Sequence, residues 1–487
     1  LNLAELIHAI QIKKIERMAD AEVDALTTDS RLVRPGTLFV AIPGYTVDGH
    51  DFARQAEAQG AVAIVAERPL DVDIPVIIVR NTTRSIAQLA GKFYDYPSEK
   101  MRLIGITGTN GKTTTTTIIR DVLAHLGRKT GIIGTVEVKI GDRVVPSRNT
   151  TPQSSELQEF FHQMHAEGVE DVIMEVSSHG LELGRVAGAD FDVAGFTNLT
   201  HDHLDFHKTF DNYARAKGLL FAQLGQRLSE GKTAVLNADD DTSELFERMT
   251  GANVLTYGID RPADLTAHGI SQTLQETTFT MAYQEEQVEL TVQFIGRFNV
   301  YNLLLATGVL LSLGYRLPEI ASAIETIHPA KGRMQRLPIP GYNIYVDYAH
   351  TPDGIEKCLQ ALVGVPKEKI VFLIGTGGNR DVTKRPAMGE MASTYAGTVV
   401  ITTDDPRFES EETILSGIAK GMKHDRFVTI GDRFEAVKYA ARLARPDNIV
   451  ILAGKGHEKY QIIGDEKIPL DEEQIVRETI QQLEEKQ

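Results

Sequence analysis

The sequence predicts an α/β fold in three successive units. Three observations carry that expectation. Short apolar strands alternate with helical segments along the whole chain. A strand, glycine turn and helix, "RLIGITGTNGKTTTTTIIRDVLAHLG" (102–127), opens the middle part. A stretch rich in glycine and proline, "HPAKGRMQRLPIPG" (328–341), then separates it from a second series of strands. The length, 487 residues, accommodates units of about 100–200 residues, each able to bury its own core.

In the first unit, 1–98, the strands "GTLFVAIPG" (36–44), "AVAIVAE" (61–67) and "VIIVRN" (76–81) alternate with helix-like segments such as "HDFARQAEAQG", as in a small α/β domain. In the second, 99–330, "EDVIMEVSSHG" (170–180), "FDVAGFTNL" (191–199) and "TAVLNADD" (233–240) follow the opening strand. Apolar runs separated by longer helices predict a parallel sheet covered on both faces. In the third, 331–487, "NIYVDYA", "KIVFLIGTGGNRD", "GTVVITTDD", "RFVTIGD" and "NIVILAGKG" predict another parallel sheet. The sequence shows no internal repeat and no low-complexity segment.

Composition narrows the function classes. Lys and Arg number 51 against 67 Asp and Glu, a formal charge of −16. Such a surface repels nucleic acid and acidic membranes, but leaves room for a locally positive pocket. Hydrophobic residues at 42% and charged residues at 24% are those of an ordinary globular chain. No apolar run reaches the length of a membrane span, and the N-terminus lacks the apolar core of a signal peptide, so a cytoplasmic protein is expected. The first residue is Leu rather than Met, from which a trimmed N-terminus is expected. Cys358 is the single cysteine, which excludes an intrachain disulfide or a cysteine metal cluster; it is read as a small buried apolar residue.

The usual phosphate loop is G-x-x-x-x-G-K-[ST]. Its backbone N–H groups cradle phosphates, Lys neutralises them, the hydroxyl ligates Mg²⁺ and the helix N-terminus adds its dipole. Here Gly108, Thr109, Asn110, Gly111, Lys112, Thr113 and Thr114 form a shortened variant, with Ile106 where the usual first glycine would stand. The strand before it and the helix after it make this an ATP or GTP site.

Polar groups cluster at the ends of the next strands, where α/β proteins bind ligands. Glu175 stands at a strand end in "IMEVSSHGLELGR" (173–185), and "FTNLTHDHLDFHKTF" (196–210) gathers His201, Asp202, His203, Asp205 and His207. Clustered histidines would suit Zn²⁺, but carboxylates beside a phosphate loop fit Mg²⁺ better. In "YARAKGLLF" (213–221), helical spacing alone makes Lys217 an ordinary surface lysine.

The motifs "GTNGKTT", "MEVSSH", "TNLTHDHLDFH", "YARAK", "GRFNVYN", "VDYAHTPDG", "GNRD…KRPAMG", "DDPR" and "GKGHEKYQ" occur in this order over essentially the whole chain. Together they resemble the Mur ligase family, and most closely its members that add the third residue of the peptidoglycan stem peptide. The resemblance implies a uridine-binding N-terminal domain, a central ATPase domain and a C-terminal Rossmann-like domain, acting as a monomer. It implies ATP and Mg²⁺ as cofactors, and a UDP-N-acetylmuramoyl-dipeptide and an amino acid as partners.

It also implies roles residue by residue. Ser30 in "TDSR", Asn149, Thr150 and Thr151 in "RNTTPQ", Ser177 and Arg185 would contact the UDP-linked substrate. Lys112 and Thr113 would meet phosphates and one Mg²⁺, while Glu175 and His203 would hold another. Asn302, Arg333, Asp347 and His350 would close on ATP. Lys217 becomes a carbamylated lysine, an anion able to ligate Mg²⁺ where a free ammonium would be repelled. The implied reaction is ATP-dependent amide formation: the dipeptide carboxylate takes the γ-phosphoryl group, and the incoming amine then displaces phosphate from the acyl phosphate. A switching or mechanical NTPase, an inactive nucleotide-binding protein and a folylpolyglutamate synthetase are the other classes. The last of these lacks the roughly 100-residue N-terminal domain.

The amino-acid pocket of the family implies Arg385, Asp404, Asp405, Arg407, Gly454 and Glu458. Members that use meso-diaminopimelate carry D-N-P-R, whose Arg grips the distal carboxylate. Here "DDPR" keeps Arg407 but places Asp405 where Asn is usual. An ionised Asp405 only accepts hydrogen bonds, which would suit the ammonium of L-lysine. Arg407 outweighs it in this reading, so meso-diaminopimelate is expected ahead of L-lysine.

Overall fold

A computed structural model describes residues 1–44, 47–145, 149–225, 231–362 and 364–485. The N-terminal sheet has five strands in the order Lys14–Glu16, Val76–Ile78, Ala61–Ala66, Thr37–Val40 and Ala25–Thr27. All neighbours are parallel except Lys14–Glu16 with Val76–Ile78. Thr37–Val40 is buried along its whole length because both faces carry apolar clusters, one including Leu3, Leu6, Ile86 and Leu89 and the other Ala53 and Ala56. The helix Thr82–Phe93 starts where the Asn81 side chain accepts from Arg84 N at 2.8 Å.

Among the described residues the central sheet has eleven strands. Its parallel part runs Leu265–Gln272, Asn253–Gly258, Thr233–Asn237, Val193–Phe196, Arg102–Thr107, Asp171–Glu175 and Thr130–Ile133. Arg102–Thr107 is flanked by Val193–Phe196 on one side and Asp171–Glu175 on the other, so the strand order changes direction around it. A crevice therefore opens beyond its carboxyl end, where the phosphate loop lies. The helix Arg297–Ser312 is apolar nearly all round and is buried between the sheet and the helix Lys112–His125. The opposite face is filled by Leu157, Phe161, Tyr213, Leu220 and Phe221.

The expected all-parallel central sheet is corrected at both ends. Thr277–Tyr283 and Glu286–Val292 extend one edge antiparallel, and Val138–Ile140 and Arg143–Val145 extend the other. Their burial is alternating or mostly exposed, as in a sheet with one face in water, so they carry no continuous apolar run to betray them.

The C-terminal sheet is ordered Gln335–Arg336, Asn343–Asp347, Ile449–Ala453, Ile370–Thr376, Thr398–Thr403 and Phe427–Thr429, parallel apart from its first strand. That first strand lies inside the glycine- and proline-rich stretch expected to be a plain linker. Cys358 is buried with its Sγ 3.2 Å from Met334 Sδ, and burial pushes its thiol pKa well up, as fits a packing residue. Among the described residues no helix is long and apolar enough to cross a membrane.

Candidate active site

The strand Arg102–Thr107 turns into the helix Lys112–His125 through two glycines with positive φ, Gly108 at 144° and Gly111 at 88°. Side chains are also excluded there by space. A Cβ at Gly108 would lie 1.8 Å from Thr197 Oγ1, and one at Gly111 would lie 2.3 Å from Asn302 Oδ1. The loop thus presents its first helical N–H groups to the crevice. Lys112 folds over it, donating to the Gly108 and Thr109 carbonyls at 2.9 Å each. Burial lowers the Lys112 pKa, against the pull of Glu175 and Asp202.

Glu175, at the end of its strand, is the hub of the oxygen donors. Its Oε1 accepts from Thr113 Oγ1 and Thr135 N, both at 2.9 Å, and its Oε2 accepts from Thr135 Oγ1 at 3.0 Å. Arg333 reaches across from the interdomain stretch to donate to Thr113 Oγ1 at 3.0 Å, with its guanidinium 4.5 Å from the Tyr348 ring centre. Lys217 is not a surface lysine. It is 1% exposed, donates to Gly108 O at 2.8 Å and lies over the Tyr213 ring. Burial, reinforced by the Lys112 charge, lowers its pKa well below the ordinary lysine value. His203, held at φ 54°, lies beside Asp202 and edge-on to His179; burial pushes its pKa down.

Among the cavities that flank these groups, two adjoin the loop and the cleft between the central and C-terminal units, and a third of about 250 Å³ touches Thr113 and Glu175. One, of about 330 Å³, is lined by Asn110, Gly111, Asn198, Asp239, Tyr301 and Asn302 among others. The second, of about 370 Å³, brings Thr150, Asp202 and His203 of the central unit opposite His350, Asp404, Asp405, Arg407 and Glu458 of the C-terminal unit. Thr151, Ser177 and Arg185 form an adjoining network: Ser177 N donates to Thr151 Oγ1 at 2.9 Å, Arg185 donates to Thr151 O at 3.1 Å, and Thr151 Oγ1 donates to Glu175 O at 3.0 Å. Thr150 meets Thr135 through their hydroxyls at 3.1 Å.

Several expected residues stand elsewhere. Arg385 is 2% exposed and pairs through two nitrogens with Glu409, at 2.6 and 2.9 Å. Its charge is spent inside the C-terminal unit, and it does not line the second cavity. Gly454 does not line it either; its N–H supports Asp347 by donating to that residue's carbonyl at 3.0 Å. Asp347 is not aimed at the crevice, because its carboxylate accepts from Met334 N and Ala349 N. Ser30 is buried at the start of a short turn, Ser30–Leu32, in the N-terminal unit and lines neither cavity. Asn149 is exposed, and Thr114 is buried in the helix.

Sequence reasoning missed Asp353 and Lys455. Asp353 Oδ2 accepts from Asn110 Nδ2 at 2.7 Å and from Thr200 Oγ1 at 3.3 Å, tying the C-terminal unit to the phosphate loop. The Lys455 ammonium lies among Asp404, Asp405 and Glu458. Both stand inside quoted motifs, "TPDG" and "GKGHE", but nothing in spacing says which motif residue faces which partner.

Three stretches match family profiles: the Mur ligase family, catalytic domain over residues 22–94, the Mur ligase middle domain over 106–310, and the Mur ligase, glutamate ligase domain over 332–456. A relative in Bacillus cereus, named "UDP-N-acetylmuramoyl-L-alanyl-D-glutamate--2,6-diaminopimelate ligase", is 47% identical over 483 residues, covering 99% of this chain and 98% of its own. The chain belongs to the Mur ligase family.

A solved structure bearing the same ligase name matches this Mur ligase with a TM-score of 0.70 at 30% identity, over 99% of both chains. A folylpolyglutamate synthase from Mycobacterium tuberculosis, solved with ADP and AMPPCP, shares the fold at 16% identity and a TM-score of 0.62. It covers only 77% of this Mur ligase. Full-length coverage therefore favours the ligases that carry three units.

Proposed function

We propose that this Mur ligase uses ATP to join meso-diaminopimelate to the dipeptide carboxylate of UDP-N-acetylmuramoyl-L-alanyl-D-glutamate, in the cytoplasm. The observation that carries the reading is the second cavity, where Arg407, Asp404 and Glu458 face Asp202 and His203 across the two units. Its cationic and anionic walls suit a molecule that ends in both a carboxylate and an ammonium. End-to-end similarity to relatives named for diaminopimelate supports the same substrate. The units 1–98, 99–330 and 331–487 are assigned the UDP-linked substrate, ATP and the amino acid respectively.

ATP phosphates would sit at the start of the helix Lys112–His125, on the N–H groups of its first turn, with Lys112 neutralising them and the base in the cavity beside Asn302. The dipeptide carboxylate attacks the γ-phosphorus and ADP leaves with the bonding pair. The amino-acid nitrogen then attacks the acyl carbon, loses a proton, and phosphate departs. Lys112, Arg333 and the loop N–H groups are placed to stabilise charge spreading over the transferred phosphoryl oxygens. Thr151, Ser177 and Arg185 would orient the muramoyl-dipeptide, with Ser30 at its uridine end.

The oxygen-rich donors around Glu175 fit a hard divalent ion, so Thr113, Glu175, His203 and a carbamylated Lys217 would hold Mg²⁺. Mg²⁺ there would neutralise phosphate oxygens and polarise the γ-phosphoryl group. Burial favours the neutral Lys217 amine, the form that adds CO₂.

The test is incubation of the full chain with ATP, Mg²⁺, the UDP-linked dipeptide and either meso-diaminopimelate or L-lysine. Phosphate release and product mass are measured. Tripeptide formed preferentially with diaminopimelate is expected; turnover with lysine alone overturns the reading.

A further inference from the structure

We propose that Lys455 is a specificity-positioning residue: its buried ammonium holds Asp405 off Arg407, leaving Arg407 open to a carboxylate of the incoming amino acid. The inference rests on the amino-acid pocket proposed above and deepens it.

Asp404, Asp405 and Glu458 offer carboxylate oxygens that lie within 4.8 Å of one another, a spacing that suits a cation. The Lys455 ammonium fills that place. Its side chain is wholly buried, and its Nζ lies 3.0 Å from Asp404 Oδ1, 3.1 Å from Glu458 Oε2 and in close contact with Asp405 Oδ1. Asp405 Oδ1 also accepts from Ile462 N at 2.9 Å. This carboxylate is thus fixed through one oxygen, and its other oxygen stays 3.8 Å from the Arg407 guanidinium. Turning to grip Arg407 with both oxygens would forfeit two hydrogen bonds in a buried setting.

Arg407 accordingly has room. It donates to Gly378 O at 3.1 Å and otherwise faces the cavity, which it shares with Arg380 and Lys384. Asp405, which on sequence grounds favours an ammonium-ended ligand, is compensated by a cation that the ligand never meets. Removing that cation would leave three uncompensated carboxylates in the cavity that Arg407 lines, with Asp405 the one beside it. Asp405 would collapse onto Arg407, and the cavity would invite an ammonium in place of a carboxylate. Lys455 thereby reconciles "DDPR" with a diaminopimelate pocket.

The experiment compares kcat/KM for meso-diaminopimelate and L-lysine in the full chain, for wild type, Lys455→Met, Asp405→Asn and the double variant. Thermal unfolding of each is followed in parallel. Lys455→Met should lower the diaminopimelate-to-lysine ratio about ten- to hundred-fold, mainly through KM for diaminopimelate. Adding Asp405→Asn, which removes the uncompensated charge next to Arg407, should restore about ten-fold of it. A Lys455→Gln series, in which a shorter, uncharged donor remains, should give the same order and stands in if the Met variant does not fold. An unchanged ratio in the folded single variants, or no recovery in the double variant, overturns the role. Wild type preferring lysine would instead strike down the proposed substrate, and this role with it, before any variant is compared.

Discussion

The Lys217 ammonium donates to the Gly108 carbonyl at 2.8 Å, the same oxygen that Lys112 reaches at 2.9 Å. Two like charges on one acceptor are costly, and a buried lysine relieves the strain by giving up its proton. A neutral amine next to the phosphate loop can add CO₂, becoming an anion that a metal would accept. Lys217→Ala should therefore lose activity about hundred-fold or more, and short carboxylates such as acetate should restore part of it. Phosphate release with and without added carboxylate is the measurement. Full activity in the variant without rescue would make Lys217 a packing residue.

The bond from Asn110 to Asp353 joins the phosphate loop to the first turn of the helix Pro352–Gln360. Asp353 also accepts from Thr200 across the cleft and pairs with Lys357 on its own helix, so one carboxylate gathers two contacts across the cleft and one that fixes its direction. Asp353→Ala should weaken the hold between the two units by about 1–3 kcal/mol. Small-angle scattering of the ligand-free protein should show a larger radius of gyration, and kcat/KM for ATP should fall about ten-fold. Unchanged values for both would mean that other contacts keep the cleft closed.

The strands of the parallel regions were legible because fully buried strands leave continuous apolar runs, as in "RLIGIT" and "NIVILA"; their order within each sheet was not. The antiparallel edges were not legible, since Glu286–Val292 alternates exposed and partly covered residues and resembles a polar loop. Within the site, the glycine loop announced itself through its residue types together with the apolar strand before it and the helical pattern after it. The burial of Lys217 did not, because YARAK reads as amphipathic until Tyr213 and Thr109 are seen to close over it. Arg385 shows the converse. A motif can carry an arginine to the right segment, yet only the partner, Glu409, decides whether its charge is available.

That pair gives a pH-dependent expectation. The Arg385 guanidinium, through its hydrogen bond, holds the Glu409 carboxyl below the usual range, against a smaller burial effect. A depressed carboxyl contributes stability that is complete above its unfolded value, about 4.3, and is lost as pH falls through the folded one. Glu409→Gln should destabilise the protein by about 3 kcal/mol at pH 7, because it strands a buried guanidinium. The gap to wild type should close as pH falls below about 4. Unfolding midpoints at pH 7 and below 4 check this. A gap independent of pH would show that the pair contributes packing rather than charge.

Arg407 carries the last prediction. It sits at φ 51°, braced by its N–H to Ile462 O at 3.1 Å and by Gly464 N to its own carbonyl at 2.8 Å. The backbone therefore aims the guanidinium into the cavity before any ligand arrives. A charge-assisted contact to the distal carboxylate is worth about 1.5–3 kcal/mol, so Arg407→Ala should cost about ten- to hundred-fold in kcat/KM for meso-diaminopimelate. L-Lysine presents no such carboxylate, and its much poorer turnover should change little. Asp405→Asn alone should help diaminopimelate only slightly, because Lys455 already compensates the charge that the change removes. Steady-state phosphate release with both amino acids settles the point. Diaminopimelate use that survives Arg407→Ala intact would hand the distal carboxylate to another cation of the cavity, with Arg380 and Lys384 the next to replace.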